Sequence, residues 1–261
     1  MNKTAFLGLR TLAVITTFAL ASGCATTSVR QHADFANSSR AVKTIAVLPP
    51  DVEFVHVTFK GDNERDSKAE AMIKGSLSSV LKSLLEERGY AATTSLVERL
   101  SGADKELNFE YENLKTAYAQ ASKELYEKNV VPVDESTKFN VSVGPVANTF
   151  SAVGSADALV YVRYSGFDKS GGQMAKEIVG AALLAVLTRA APISSTHGGR
   201  IELALIDGTS GQVLWANKFS GPNQGSNALL LNVSAKLPAA STRPKAAENM
   251  APSAATAPQP R

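Results

Sequence analysis

The strongest constraint in the chain is a set of apolar residues at steps of three and four: Met72, Ile73, Leu77, Val80, Leu81, Leu84 and Leu85. That spacing draws one apolar stripe along a helix, and Gly89 stands where a helix C-terminus wants a residue free to turn left-handed. The pattern predicts a helix over residues 64–88. Such a stripe has to be buried against another element, and strand-like runs lie on both sides of it. Residues 42–48 (VKTIAVL) are β-branched and apolar and stop at Pro49 and Pro50, as a buried strand would. Residues 53–59 alternate Val55, Val57 and Phe59 with His56 and Thr58, reading as a half-exposed strand or an extended loop, and residues 90–94 read as a short strand. His56 reads as a surface strand residue, since no second metal ligand is near it in sequence.

Further along, Leu114, Ala117, Tyr118, Ala121 and Leu125 predict a second helix over 108–128. Tyr111, Tyr118 and Tyr126 share one of its faces, so they read as core or partner-facing rather than as a stacking platform. Residues 138–143 alternate briefly, and residues 157–164 form a strong strand. Residues 200–206 and 212–219 flank the sequence DGTSG at 207–211, where Asp207 and the glycines supply the turn of an antiparallel hairpin. A short helix is expected over 225–237.

The two ends differ from this middle. Residues 1–23 carry Lys3 and Arg10, an apolar run over 11–20 and the small residues Ala21, Ser22 and Gly23 before Cys24. That is the layout of a secretory signal, and the apolar run is too short to span a bilayer. The sequence LASGC at 20–24 resembles the lipobox of bacterial lipoproteins, although Ala21 stands where Leu is commonest. The resemblance implies that the thiol of Cys24, the sole cysteine, is acylated and that this residue becomes the mature N-terminus. An ordinary cleaved signal with an incidental cysteine is the alternative. In enterobacterial lipoproteins a residue other than Asp after the cysteine, here Ala25, implies the outer membrane, so the expected location is that membrane with the domain facing the periplasm. Residues 24–41 read as a polar tether, residues 42–237 as one domain, and residues 238–261 as a disordered tail holding five of the eleven prolines and no aromatic residue.

Chemistry-bearing patterns are scarce. The net charge of +3 comes from the ends, where Lys3, Arg10, Arg243, Lys245 and Arg261 face only Glu248, so the middle gives no case for nucleic-acid binding. One cysteine and three scattered histidines (His32, His56, His197) offer no metal or cofactor set. Neither a nucleophile elbow, a phosphate loop nor a dinucleotide fingerprint occurs, so no catalytic residue is assigned. DGTSG could be imagined as a nucleophile or phosphate loop, but its place between two alternating strands makes it a turn; a propeller blade would need repeats that are absent. Asp157, Asp168 and Asp207 sit near strand ends without an identifiable partner. Residues 178–187 are ten apolar residues bounded by Lys176, Glu177 and Arg189, too few to cross a bilayer. They read as a buried helix or a subunit contact, with Ile178, Ala182, Leu183, Val186 and Leu187 as interface candidates, or as an element touching lipid.

Behind the lipobox, the order KTIAVLP (43–49), a helix ending in RGY (88–90), GSADALVY (154–161) and IELALIDGTSGQVLW (201–215) resembles a group of bacterial envelope lipoproteins that includes CsgG and LpoB, with a core similar to the TolB amino-terminal domain. The resemblance implies an α/β fold, a mixed sheet flanked by amphipathic helices, and a non-enzymatic scaffold or accessory role in an envelope assembly or export complex. Its partners would be the membrane, through Cys24, an envelope protein and possible further copies of itself. No pair of long alternating hairpins is present to build a CsgG-like barrel. The competing readings are a periplasmic hydrolase with an unrecognised site and a membrane-contacting homo-oligomeric ring.

Overall fold

The structure, a computed structural model, describes residues 26–36, 42–102, 104–128, 139–170 and 197–240. They form a single mixed α/β domain on one eight-stranded sheet. Its spine is β6 (Ala158–Lys169), antiparallel to β7 (His197–Asp207); β7 pairs with β8 (Val213–Pro222) and β8 with β1 (Thr26–Gln31), both antiparallel. The other side of β6 is shared end to end by two parallel strands, β2 (Thr44–Val47) on its first half and β3 (Asp51–Val57) on its second. Beyond them lie β5 (Ala91–Thr93), parallel to β2, and the short β4 (Asn63–Arg65), antiparallel to β3. Between the pairs Val47 with Val160 and Asp51 with Arg163, the residues Leu48, Pro49 and Pro50 stand against Tyr161 and Val162 alone. This bulge falls where the two prolines have no N–H to give the ladder.

Helices cover both faces. Besides the short α1 (Ala33–Ala36), these are α2 (Ser67–Glu87), α3 (Ser95–Leu100), α4 (Lys105–Lys123, continued by a π turn at Glu124–Lys128), α5 (Val146–Gly154) and α6 (Ser226–Ser234). α2 and α6 lie over Ile45, Val160, Leu203 and Trp215, while α3, α4 and α5 lie over Ala46, Leu159, Tyr161 and Ala204. The α2 stripe buries Leu77, Leu81 and Leu85 completely, each contributing about 1.5–3 kcal/mol. Met72 falls off the stripe and is 63% exposed. Asp66 caps the helix by accepting from the N–H groups of Lys68 and Ala69. At the other end Gly89 takes φ 85°, letting Tyr90 donate back to the Leu85 carbonyl at 3.0 Å. Arg88 then grips the C-terminus of α6 through the carbonyls of Leu237 at 2.6 Å and Ser234 at 2.8 Å.

Several elements differ from the sequence expectation. Residues 26–31, expected within the tether, form β1 in register with β8 from Thr26 opposite Ser220 to Gln31 opposite Trp215. An edge strand is held by its ladder and does not need an alternating apolar face, and here polar side chains do the stitching. The buried Asn217 side-chain carbonyl accepts from Thr27 Oγ1 at 3.0 Å and Ser28 N–H at 3.2 Å. Arg30, also buried, donates from Nε to the Leu125 carbonyl at 3.3 Å. The first residues of the stretch expected as a tail likewise touch the domain: the Tyr90 hydroxyl donates to the Pro238 carbonyl and Ala240 N–H to the Arg88 carbonyl, both at 2.9 Å. The brief alternation noted over 138–143 shows in the burial of Phe139, Val141 and Val143, and Ser142 makes an isolated bridge to Gln212. Residues 64–66, expected in the first turn of the long helix, instead hold the end of β4 and the Asp66 cap, and the sequence signals for α3 and α5 are too short to separate from loops.

Candidate functional site

The burial pattern along β6 locates a boundary in the molecule. Residues 158–162 are all buried because helices cover both faces, whereas Arg163 and Ser165 are exposed and Tyr164 and Gly166 buried. β7 and β8 change at the same level, with Arg200 exposed beside the buried Ile201. The cause is α4, which crosses the sheet obliquely. The Tyr111 hydroxyl donates to the Pro49 carbonyl near one end of the helix, and the Leu125 carbonyl receives Arg30 of β1 near the other. Beyond that line the sheet face carries no helix among the described residues.

A groove of about 800 Å³ lies there. Its wall is the α4 flank Ala119, Ser122, Lys123 and Glu127; its floor is alternate strand residues, chiefly Glu53 of β3, Arg163, Ser165 and Phe167 of β6, Gly198, Arg200 and Glu202 of β7, and Ser220 and Pro222 of β8. Under the wall the strand register sets Asp51, Arg163, Glu202 and Lys218 side by side across β3, β6, β7 and β8, a row of alternating charge. Opposite charges on adjacent strands attract, and a one-residue slip would break every pair. Glu202 is the buried member: Ser122 donates to Oε2 at 2.7 Å and Lys218 Nζ lies 3.6 Å from Oε1. Asp51 is met from above by Lys115 at 3.3 Å and by the Tyr161 hydroxyl at 3.2 Å. Arg30 and Lys218 both stand over the Tyr126 ring, 5.4 and 5.2 Å from its centre. Burial, followed by the Glu202 charge, pushes the phenols of Tyr118 and Tyr126 far above the ordinary tyrosine range, so both stay neutral. Neither hydroxyl has a hydrogen-bond partner among the described residues.

The three aspartates noted in the sequence are separated. Asp157 and Asp207 are at one end of the sheet. Asp157 accepts the N–H groups of Lys43 and Thr44 at 3.0 and 2.9 Å; burial works against its charge, but these bonds win and hold its carboxyl below the usual range. Asp207 accepts from Ser210 N–H and Oγ, both at 2.7 Å, and so builds the hairpin turn expected of it. Asp168 is at the opposite end, 2.6 Å from His56 Nδ1, which is half-exposed on β3 as expected. Tyr111 and Tyr118 are core residues on one helix face, and Tyr126 is half-buried. Among the described residues no cluster of His, Cys, Asp or Glu could hold a metal ion, and the groove brings no histidine beside a serine. Cys24 and the interface candidates Ile178, Ala182, Leu183, Val186 and Leu187 lie outside the described residues. Sequence reading missed the groove, because its charged floor is assembled from four strands that are far apart in the chain. One signal was present: β6 switches from five consecutive buried residues to alternation after Val162.

No family model matches the chain, and no curated protein matches it. Solved structures with a distant likeness include a PelC dodecamer from Paraburkholderia phytofirmans (10% identity, 82% of this chain and 94% of that one, TM-score 0.33). Another is lipoprotein GNA1162 from Neisseria meningitidis (15% identity, 74% and 92%, TM-score 0.33). A third is the LpoB C-terminal domain from Salmonella enterica (9% identity, 81% and 94%, TM-score 0.28).

Proposed function

We propose that this chain is an outer-membrane lipoprotein, acylated at Cys24, whose periplasmic domain serves as a non-enzymatic docking scaffold in an envelope assembly or export complex. The observation that carries the reading is the groove beside α4. It is open along the sheet and offers both signs of charge, Arg163 and Arg200 against Glu53 and Glu127, with serine hydroxyls between them. Mixed charge on a rigid floor suits an extended polypeptide partner, which can meet each group with an opposite charge or a backbone amide. The apolar residues 178–187 remain the proposed contact between copies of the chain, which would add a homo-oligomer to the same reading.

The test is photocrosslinking in intact cells from Arg163 and Ser165 in the groove, with Glu86 at the far end of α2 as the control. The expected result is a discrete adduct from the groove positions only, lost on Arg200→Glu. Adducts of equal yield from all three positions, or none from any, would overturn the docking role. Light scattering on residues 25–261, with and without mild detergent, tests the oligomer, and a monomer in both conditions would remove it.

A further inference from the structure

We infer that the groove selects an acidic segment of its partner, holding the carboxylate of one Asp or Glu side chain between Arg163 and Arg200 while a basic side chain three positions away meets Glu53. This selection rests on the docking role and specifies its partner. The floor of the groove carries a surplus of positive charge. Arg163 stands between two acids in the strand register, Asp51 of β3 and Glu202 of β7, yet both carboxylates are already engaged. Lys115 and the Tyr161 hydroxyl meet Asp51 at 3.3 and 3.2 Å, and Ser122 and Lys218 meet Glu202 at 2.7 and 3.6 Å. Arg200 has no acid directly across from it, since the register sets Ser165 on one side and Ser220 on the other. Neither guanidinium makes a hydrogen bond or ion pair among the described residues, and both arginines are exposed in the groove. A guanidinium keeps its charge at any physiological pH and presents its donors in a planar fork that matches a carboxylate.

Placement turns the two charges into one site. Arg163 faces Glu202, two residues along β7 from Arg200, so the arginines are diagonal neighbours on adjacent strands with Cβ atoms about 7 Å apart. Two arginine side chains close that separation on a single carboxylate, and Ser165, opposite Arg200, adds a hydroxyl beside them. The acids around the pair narrow what enters. Glu53 lies in the same row as Ser165 and Arg200, two strand spacings or about 9.6 Å from Arg200, and Glu127 stands on the α4 wall. A phosphate polymer or an acidic glycan would press further negative charge against both glutamates. A lipid headgroup would bring acyl chains, for which the lining offers only the side chains of Ala119, Phe167 and Pro222 among the described residues. A peptide in the polyproline-II conformation sets residues three apart on one face, about 9.3 Å from each other. An acid and a base at that spacing reach Arg200 and Glu53 together.

The experiment pans a phage library of random dodecapeptides against the whole protein in mild detergent. Enriched sequences should carry Asp or Glu with Lys or Arg three positions away. One such peptide, synthesised with a fluorophore and blocked ends, should lose about tenfold or more in affinity by fluorescence anisotropy on Arg163→Gln and again on Arg200→Gln. Both positions are exposed, so the melting temperature of each variant should stay within about 2 °C of the parent. Arg200→Glu should bind a peptide whose acid is changed to Lys better than it binds the original, a rescue that a merely structural effect would not give. No enrichment, enriched peptides without that pairing of charges, or affinities unmoved by both Gln variants would overturn the acid recognition. Arg200-dependent binding of hexagalacturonate or of phosphatidylglycerol vesicles, in place of peptides, would overturn the peptide as occupant. The docking role itself fails on a different reading: absence of crosslinks from the groove in cells would overturn it whatever the peptides did.

Discussion

Asn217→Ala tests whether β1 belongs to the rigid body. The side chain is fully buried and serves four partners: its carbonyl accepts from Thr27 Oγ1, Ser28 N–H and Lys218 N–H, and its amide donates to the Val233 carbonyl at 2.7 Å. Alanine leaves at least the Ser28 N–H and the Val233 carbonyl short of these partners, each costing about 1–3 kcal/mol. The expected loss is about 3 kcal/mol, which for a domain of this size lowers Tm by about 6–12 °C. Because two of the four bonds hold β1, hydrogen exchange in residues 26–31 should accelerate by about a hundredfold while the core of β6 follows global stability. The readouts are thermal melting and exchange mass spectrometry. A Tm within about 2 °C of the parent, or unchanged exchange in β1, would refute the claim that Asn217 ties this strand to the domain.

Other outcomes follow from the charge row, the helix entrance and the hairpin. Glu202→Ala removes the buried acid between Arg163 and Lys218, stranding Lys218 and Ser122, and should cost about 3–5 kcal/mol by chemical denaturation; Glu202→Gln, which keeps the Ser122 bond, should cost less. At the start of α2, Arg65 donates to Glu70 at 2.7 and 3.0 Å, and Phe54 N–H adds a third bond at 3.2 Å. The Arg65 bonds, opposed by burial and assisted by Phe54, hold the Glu70 carboxyl below its ordinary value of 4.5. Its folded pKa is depressed, so the stability it gives is complete above about pH 4.5 and disappears as pH falls through the lower folded value. Glu70→Gln should therefore melt lower than the parent at pH 7 and alike at the acid limit, and a gap independent of pH would contradict this. Gly211→Ala should fail to fold or lose several kcal/mol, since φ is 70° and an added Cβ would run into the Gly144 carbonyl; a Tm shift under about 2 °C would contradict the turn geometry.

What was legible in the sequence was periodic and local. The α2 stripe from Ile73 to Leu85, the Gly89 cap, the Asp207 turn and the β-branched run before Pro49 each declare their geometry within a few residues, and each stands where its pattern put it. β1 was hidden because its anchoring is long-range: Asn217 and Leu125 are remote in sequence from Thr27 and Arg30, and TTSVRQ has no apolar face of its own. The groove was hidden for a related reason. Arg163 reads as a strand residue like its neighbours until the register places Asp51 and Glu202 on either side of it. Charge rows of that kind depend on how strands pair, and pairing between distant strands is not written in either one alone.

The proposed function rests most on the proposed acylation of Cys24. The direct measurement is the intact mass, with fragmentation of the N-terminal peptide, of the protein extracted by detergent from the envelope of its producing cells. Acylation predicts a chain beginning at Cys24 that carries acyl chains on its thiol, and a Cys24→Ser variant that keeps its leader or leaves the membrane. A mature chain beginning elsewhere, or beginning at Cys24 with an unmodified thiol, would contradict it.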